Sequence, residues 1–336
     1  MNDWLKAIGT ASGQQAAQAA ALEDNTAKAK AFGVTPENVE QVIQERSQLL
    51  HSVLPVFSQF CQHRLHTSLE KMLPMLWEWW LPLAISIASQ KQHLQRPFIQ
   101  GVLGSQGTGK TTMCQVLGLI LQELGYRSAS LSLDDLYKTY DERLALTQKD
   151  PRLIWRGPPG THDVNLGINV LEQIRQAKTP ITIPRFDKSA YNGAGDRTHP
   201  EIVYSIDILF FEGWFVGVQP IDSQLFDDAP APIITDADKN FAREMNLRLS
   251  EYLPLWERLD SLIVLYPKDY RYSVEWRKQA ERQMMAAGKS GMTDTEIERF
   301  VNYFWRSLHP ELFIKPLTQS PLVDLVIEIN QDHTWE

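Results

Sequence analysis

Apolar residues change their spacing near residue 96. Up to residue 95 the pattern is helical throughout. An Ala/Gln-rich stretch over residues 1–31 is followed by amphipathic segments with apolar positions three and four apart. Thr35-Pro36-Glu37-Asn38-Val39 predicts a helix start, with Thr35 capping and Pro36 at the first helical position. Pro55, Pro74 and Pro82 predict breaks between these helices. From residue 98 short apolar runs alternate with helical segments. Strands are predicted at 98–103, 128–133, 180–183, 206–211, 261–266 and 322–329, with helices between them. Strands alternating with helices predict a parallel sheet covered on both faces. The fold class is therefore α/β, with an N-terminal helical region over 1–95 and a second domain over 96–336.

The first predicted strand runs into Gly104-Ser105-Gln106-Gly107-Thr108-Gly109-Lys110-Thr111, a complete P-loop, G-x-x-x-x-G-K-[ST]. Such a loop wraps backbone N–H groups around nucleotide phosphates. Its Lys reaches the β/γ-phosphates and the next hydroxyl ligates Mg²⁺. Met113, Val116, Leu117, Ile120, Leu121 and Leu124 then recur at helical spacing, and Gly125 stands where a helix ends. The strand–loop–helix context makes this a three-layer P-loop NTPase fold binding ATP and Mg²⁺. Gly104, Gln106, Gly107, Thr108, Gly109, Lys110, Thr111 and Thr112 are its phosphate-side residues.

Composition narrows the partners. The formal charge is −8, which argues against nucleic acid as a partner. The most apolar stretch, Met72 to Ala88, is interrupted by Pro74, Glu78 and Pro82, so its Trp77, Trp79 and Trp80 read as core and not as a membrane belt. The two cysteines, Cys61 and Cys114, form no metal spacing or disulfide framework, and a reducing compartment fits them. No secretory or transit-type leader is read at the N-terminus, so the cytoplasm is expected. The pattern does not fix the oligomeric state; a monomer is compatible with it.

Two predicted strands end in acids. Ser132-Leu133-Asp134-Asp135-Leu136-Tyr137 offers a carboxylate that can take the proton of an attacking hydroxyl, or a pair capping a helix. Phe210-Phe211-Glu212-Gly213 is Walker-B-like, with Glu212 on the Mg²⁺ side. Between them lie two polar, Gly-rich loops, Arg156-Gly157-Pro158-Pro159-Gly160-Thr161-His162-Asp163 and residues 185–197. His162 can orient an acceptor or cap the helix after it. Arg185, Lys188 and Arg197 can clamp a carboxylate. Residues 272–282 read as a cation-bearing helix, and Gly288-Lys289-Ser290-Gly291 as a flexible break, so a lid is expected near 268–292, or an ordinary charged helix face.

The P-loop, Ser132-x-Asp134-x-Leu136-Tyr137 and Phe211-Glu212-Gly213, in that order, resemble the small-metabolite P-loop kinases: phosphoribulokinase, uridine kinase and pantothenate kinase. Gly157-Pro158-Pro159-Gly160-Thr161-His162-Asp163, Phe186-Asp187-Lys188-Ser189 with Gly195-Asp196-Arg197, and Trp276-Arg277-Lys278-Gln279-Ala280-Glu281 with the segment through Asp294 are similar to the plant-type D-glycerate 3-kinases and their fungal relatives. The resemblance spans about residues 98–310. It implies phosphoryl transfer from MgATP to the 3-hydroxyl of glycerate, as in photorespiratory salvage. It implies that Lys110, Asp134 and Glu212 are catalytic and that Thr111, Asp134 and Glu212 lie at the metal. Beside it, the reading of the residues themselves makes Arg277 a candidate contact to ATP, and His162, Asp163, Arg185, Lys188 and Arg197 candidate contacts to the acceptor. A uridine- or pantothenate-type kinase and an ATP-binding regulatory protein are the other readings. The chain departs from the family in residues 1–95, which match no motif, and in 303–310, which differ from a Tyr/Pro-rich segment of the plant enzymes. The form expected is bacterial, of cyanobacterial type.

Overall fold

The computed structural model describes residues 26–286 and 291–336. The first 25 positions of the Ala/Gln-rich start and most of the Gly288–Gly291 break lie outside them. The chain divides into two compact units, residues 1–95 with 111–128, and residues 96–110 with 129–336.

The described part of the first unit is helical: α1 (Thr26–Ala31), α2 (Val39–Phe60), α3 (Leu69–Met75), α4 (Leu81–Gln92) and most of α5 (Lys110–Glu123). One-turn π-helices follow α2 and α3. Trp77, Trp79, Trp80, Leu81, Leu83 and Ile87 are buried, so the apolar stretch is core. No helix among the described residues is long and apolar enough to cross a membrane. Two local expectations fail here. Helix α2 starts at Val39, because the Asn38 side chain accepts the Thr35 N–H (2.8 Å) and donates to the Gly33 carbonyl (2.9 Å), which closes a turn ahead of it. Pro55 lies inside α2 and Pro74 inside α3 without ending them, and Pro82 stands in the first turn of α4. Burial of Leu49, Leu50, Val53 and Phe57 along one face offsets a helix-interior proline's cost of roughly 3 kcal/mol.

The second unit carries a five-stranded sheet in the order β2 (Ser128–Ser132), β5 (Ile208–Gly213), β1 (Phe98–Gly104), β6 (Ser261–Pro267), β7 (Leu325–Ile329). β1 pairs in parallel with β5 and β6, and β6 with β7. β1 and β5 are buried at every position, which is why they read as apolar runs, broken only by Gln100 within β1 and by Glu212 near the end of β5. The starts of β1 and β6 are pinned together electrostatically. Arg96 meets Asp260 with both terminal nitrogens (2.8 and 2.5 Å), and Asp260 also accepts the Ile99 N–H at 2.9 Å. Flanking helices are α6 (Tyr140–Lys149), α7 (Val164–Arg175), α8 (Asp236–Arg248), α9 (Leu253–Trp256), α10 (Tyr272–Ala286), α11 (Asp294–Ser307) and α12 (Pro310–Leu317).

The third predicted strand is real but does not join this sheet. β3 (Ile181–Asp187) pairs antiparallel with β4 (Asp196–Val203) as a separate two-stranded hairpin, so residues 185–197 are not a loop throughout. β4 is solvent-facing along most of its length and has no apolar period to betray it.

Candidate active site

The P-loop follows β1 directly. Gly107 and Gly109 hold left-handed φ values of 83° and 86°. A Cβ on Gly107 would stand 2.7 Å from the Cβ of Trp276, so α10 closes over the loop at a point where no side chain fits. Thr108 Oγ1 donates to the Ser105 carbonyl (2.8 Å), and Lys110 Nζ donates to the same oxygen at 3.0 Å. Ser105 Oγ and Gln106 Oε1 are buried without hydrogen-bond partners among the described residues. Thr111 and Thr112 continue from Lys110 on α5.

The register of β1 on β5 sets Val102 beside Glu212 and Leu103 beside Gly213, which places Glu212, 8% exposed, next to the P-loop entry. A Cβ on Gly213 would stand 2.7 Å from Leu133 Cβ. That close approach brings the turn carrying Asp134 up to the end of β5. Ser132 caps this turn, accepting the Asp134 N–H at 3.3 Å, while the Asp135 carboxylate accepts the Ser132 N–H at 3.0 Å.

The two adjacent acids have different work. Asp135 accepts the Phe186 N–H (3.2 Å) and Arg185 Nη1 (2.9 Å), tying the turn to β3. Burial raises its carboxyl above the usual range, against the pull of these donors and of Arg185. Asp134 accepts the Tyr137 hydroxyl (2.8 Å) and pairs with Lys188 Nζ (2.6 Å). Burial works to raise Asp134 too, but the Lys188 ammonium and the Tyr137 hydroxyl outweigh it and hold the carboxylate below its ordinary value. Tyr137 itself is pushed well above its usual range by burial and by the Asp134 charge, so it stays a donor.

Tyr137 stacks on His162, with ring centroids 4.6 Å apart and planes 21° apart. The loop carrying His162 docks on the Asp134 turn through Lys138 N to Thr161 O (3.0 Å) and Asp163 N to Leu136 O (2.7 Å). His162 does not cap α7. Asp163 does, accepting the Leu166 N–H at 3.0 Å. Full burial pushes the His162 imidazole down to about 3, so it is neutral near physiological pH. His162 Nδ1 lies 2.8 Å from the Tyr252 hydroxyl. Its Nε2 is buried with no partner among the described residues.

The cations expected at the acceptor already have acidic partners. Arg185 pairs with Asp135 and Glu201, Lys188 with Asp134, and Arg197 with Asp163 (2.9 Å). On α10, Arg277 pairs with Glu281, which is 3% exposed, and lies over the Phe300 ring; its Nε has no partner among the described residues. Sequence reasoning passed over Arg143 and gave Arg156, at the start of its Gly-rich loop, no role of its own. Both donate to backbone carbonyls at the hairpin tip, Arg143 to Ala194 and Gly195 and Arg156 to Gly193 and Ala194. The Tyr252 bond to His162 joins residues 90 apart, and nothing local in the sequence signals it.

A P-loop at the end of a parallel strand, with one acid at the end of the adjacent strand β5 and another just after β2 beyond it, defines a P-loop kinase of small molecules. No family model matches the chain. It is 33% identical over 221 residues to an uncharacterized kinase, mug58, of Schizosaccharomyces pombe, covering 62% of this chain and 79% of that one. It is 29% identical over 328 residues to the chloroplastic D-glycerate 3-kinase of Arabidopsis thaliana, covering 90% of this chain and 68% of that one. Among solved structures, the D-glycerate 3-kinase of Cryptococcus neoformans superposes with a TM-score of 0.70 at 27% identity, covering 76% of this chain and 97% of that one. The chain belongs to the family of P-loop kinases that contains these proteins.

Proposed function

We propose that this kinase transfers the γ-phosphoryl group of MgATP to the 3-hydroxyl of D-glycerate, giving 3-phosphoglycerate. The observation that carries this reading is the reach of the similarity. The match to the Arabidopsis D-glycerate 3-kinase runs over 90% of the chain, far beyond the nucleotide-binding motif and through the hairpin and loops that surround Asp134.

In this reading the substrate oxygen attacks the γ-phosphorus as the bond to ADP breaks, and Asp134 takes the hydroxyl proton. Phosphoryl transfer of this kind needs positioning and charge more than strong basicity, so a carboxylate held below its ordinary pKa suits the role. Lys110, which bonds to Ser105 O, would turn to the β/γ-phosphates. Arg277 is the candidate on α10 for adding charge there, and α10, already against Gly107, is the candidate lid.

Mg²⁺ fits the donor set. No three-ligand cluster of His, Cys, Asp or Glu stands among the described residues, and Mg²⁺ held by phosphates needs one or two protein oxygens. Glu212, Asp134 and the Thr111 hydroxyl of the P-loop motif are the candidates to supply them. The ion would offset negative charge on the phosphates. ATP consumption measured with D-glycerate, uridine, pantothenate and no acceptor tests the reading. Glycerate should be used with by far the highest kcat/KM, and equal use of another acceptor would overturn it.

A further inference from the structure

Arg156 is a cation at this site with no carboxylate partner among the described residues. One of its terminal nitrogens serves the Gly193 (2.7 Å) and Ala194 (2.9 Å) carbonyls, the guanidinium lies over the Phe186 ring (5.5 Å), and no hydrogen-bond partner for the rest of the fork is found among the described residues. The group lies 5.9 Å from the Tyr137 ring centroid, on the same ring whose hydroxyl bonds Asp134. Arg156 and the candidate base therefore flank the same tyrosine, Arg156 at its ring and Asp134 at its hydroxyl.

The ring stacked on Tyr137 offers a second donor. A neutral imidazole carries one proton. The Tyr252 hydroxyl accepts the Gly160 N–H (2.9 Å) and has one proton of its own to give, and His162 Nδ1 is the acceptor beside it. In the tautomer that lets the Tyr252 hydroxyl donate, Nδ1 accepts and the His162 proton sits on Nε2, which is buried and has no partner among the described residues. His162 is 2% exposed, so an N–H left unsatisfied there is costly until a ligand oxygen meets it.

We propose that the acceptor's carboxylate is held by Arg156, with the Nε2–H of His162 as second donor and Tyr252 as the residue that fixes the tautomer, while Arg185 and Arg197 brace the hairpin. This rests on the hydroxy-acid reading given above. It explains how an acid is chosen over a neutral alcohol: without a carboxylate, the Arg156 fork and a buried N–H lose their partner.

The test compares hydroxy acids with their neutral analogues, glycerate with glycerol first, for the full-length wild type and for Arg156→Met, Arg156→Lys, His162→Leu and His162→Gln. Arg156→Met should raise the KM for the acid about 10- to 100-fold, the loss expected for a charged hydrogen bond, with the KM for ATP little changed. The preference for glycerate over glycerol should collapse; damage to the hairpin alone would lower both acceptors alike. Arg156→Lys should restore part of the preference. His162→Gln, which keeps an N–H near the Nε2 position, should retain more activity on the acid than His162→Leu. Nitrogen NMR should place the His162 proton on Nε2, and Tyr252→Phe should loosen that assignment. Glycerate use with an unchanged preference in Arg156→Met would overturn the proposal and leave the glycerate reading standing. A wild type that prefers a different hydroxy acid would overturn the glycerate reading, and the same variants would then test the subsite on that acid. A wild type that takes neutral acceptors as well, or no hydroxy acid, would overturn the subsite.

Discussion

Asp134 and Asp135 are neighbours in sequence with unlike surroundings. Asp135 faces backbone and an arginine; Asp134 faces a hydroxyl and an exposed lysine. Asp134→Asn should lower kcat about 10²- to 10⁴-fold, the usual range for a general base, with the KM for ATP nearly unchanged. Asp135→Asn should instead lower the melting temperature and loosen the hairpin. Steady-state kinetics beside thermal unfolding separates the two, and equal effects on both measures would contradict the division. The pH dependence follows with a defined sign. Asp134 acts when ionised, and Lys188 lowers its pKa. Lys188→Met should raise that pKa, so the acid limb of the kcat profile should move to higher pH. His162, at about 3, should add no limb near neutrality. At this scale the sequence placed both acids at a strand end, and it named His162, Lys188, Arg185 and Arg197. It could not show which acid bonds which cation, because the Arg185–Asp135 and Arg197–Asp163 pairs join residues 50 and 34 apart.

Secondary structure was legible where burial was two-sided. β1, β5 and β6 are covered on both faces, so their apolar runs stand out against the flanking polar residues. β4 failed that test. Its residues are mostly exposed, and it is held by pairing to β3 and by Arg143 and Arg156 at the tip, none of which leaves an apolar period. The P-loop and α10 make a prediction at the level of elements. Gly107→Ala would add a Cβ in left-handed backbone and press it on Trp276. The backbone term alone costs about 1–2 kcal/mol, so the KM for ATP should rise about tenfold or more while the sheet stays folded. Unchanged ATP kinetics in a folded Gly107→Ala variant would show that the loop does not need this conformation.

For the whole molecule, length and alternation of elements were enough to anticipate a parallel α/β sheet preceded by helices, because each element's apolar pattern reports its own burial. The grouping of residues 111–128 with the helical first unit was not legible, since it depends on contacts between segments distant in sequence. The class of reaction follows from the sheet, the loop at its centre and the family; the acceptor depends on a few side chains around Asp134. The most direct test is to incubate the full chain with ATP, Mg²⁺ and D-glycerate and follow the product by phosphorus NMR. The account predicts 3-phosphoglycerate formed in step with ADP, and lost in Asp134→Asn. A 2-phosphoglycerate product, or ATP turnover no faster with glycerate than without it, would contradict it.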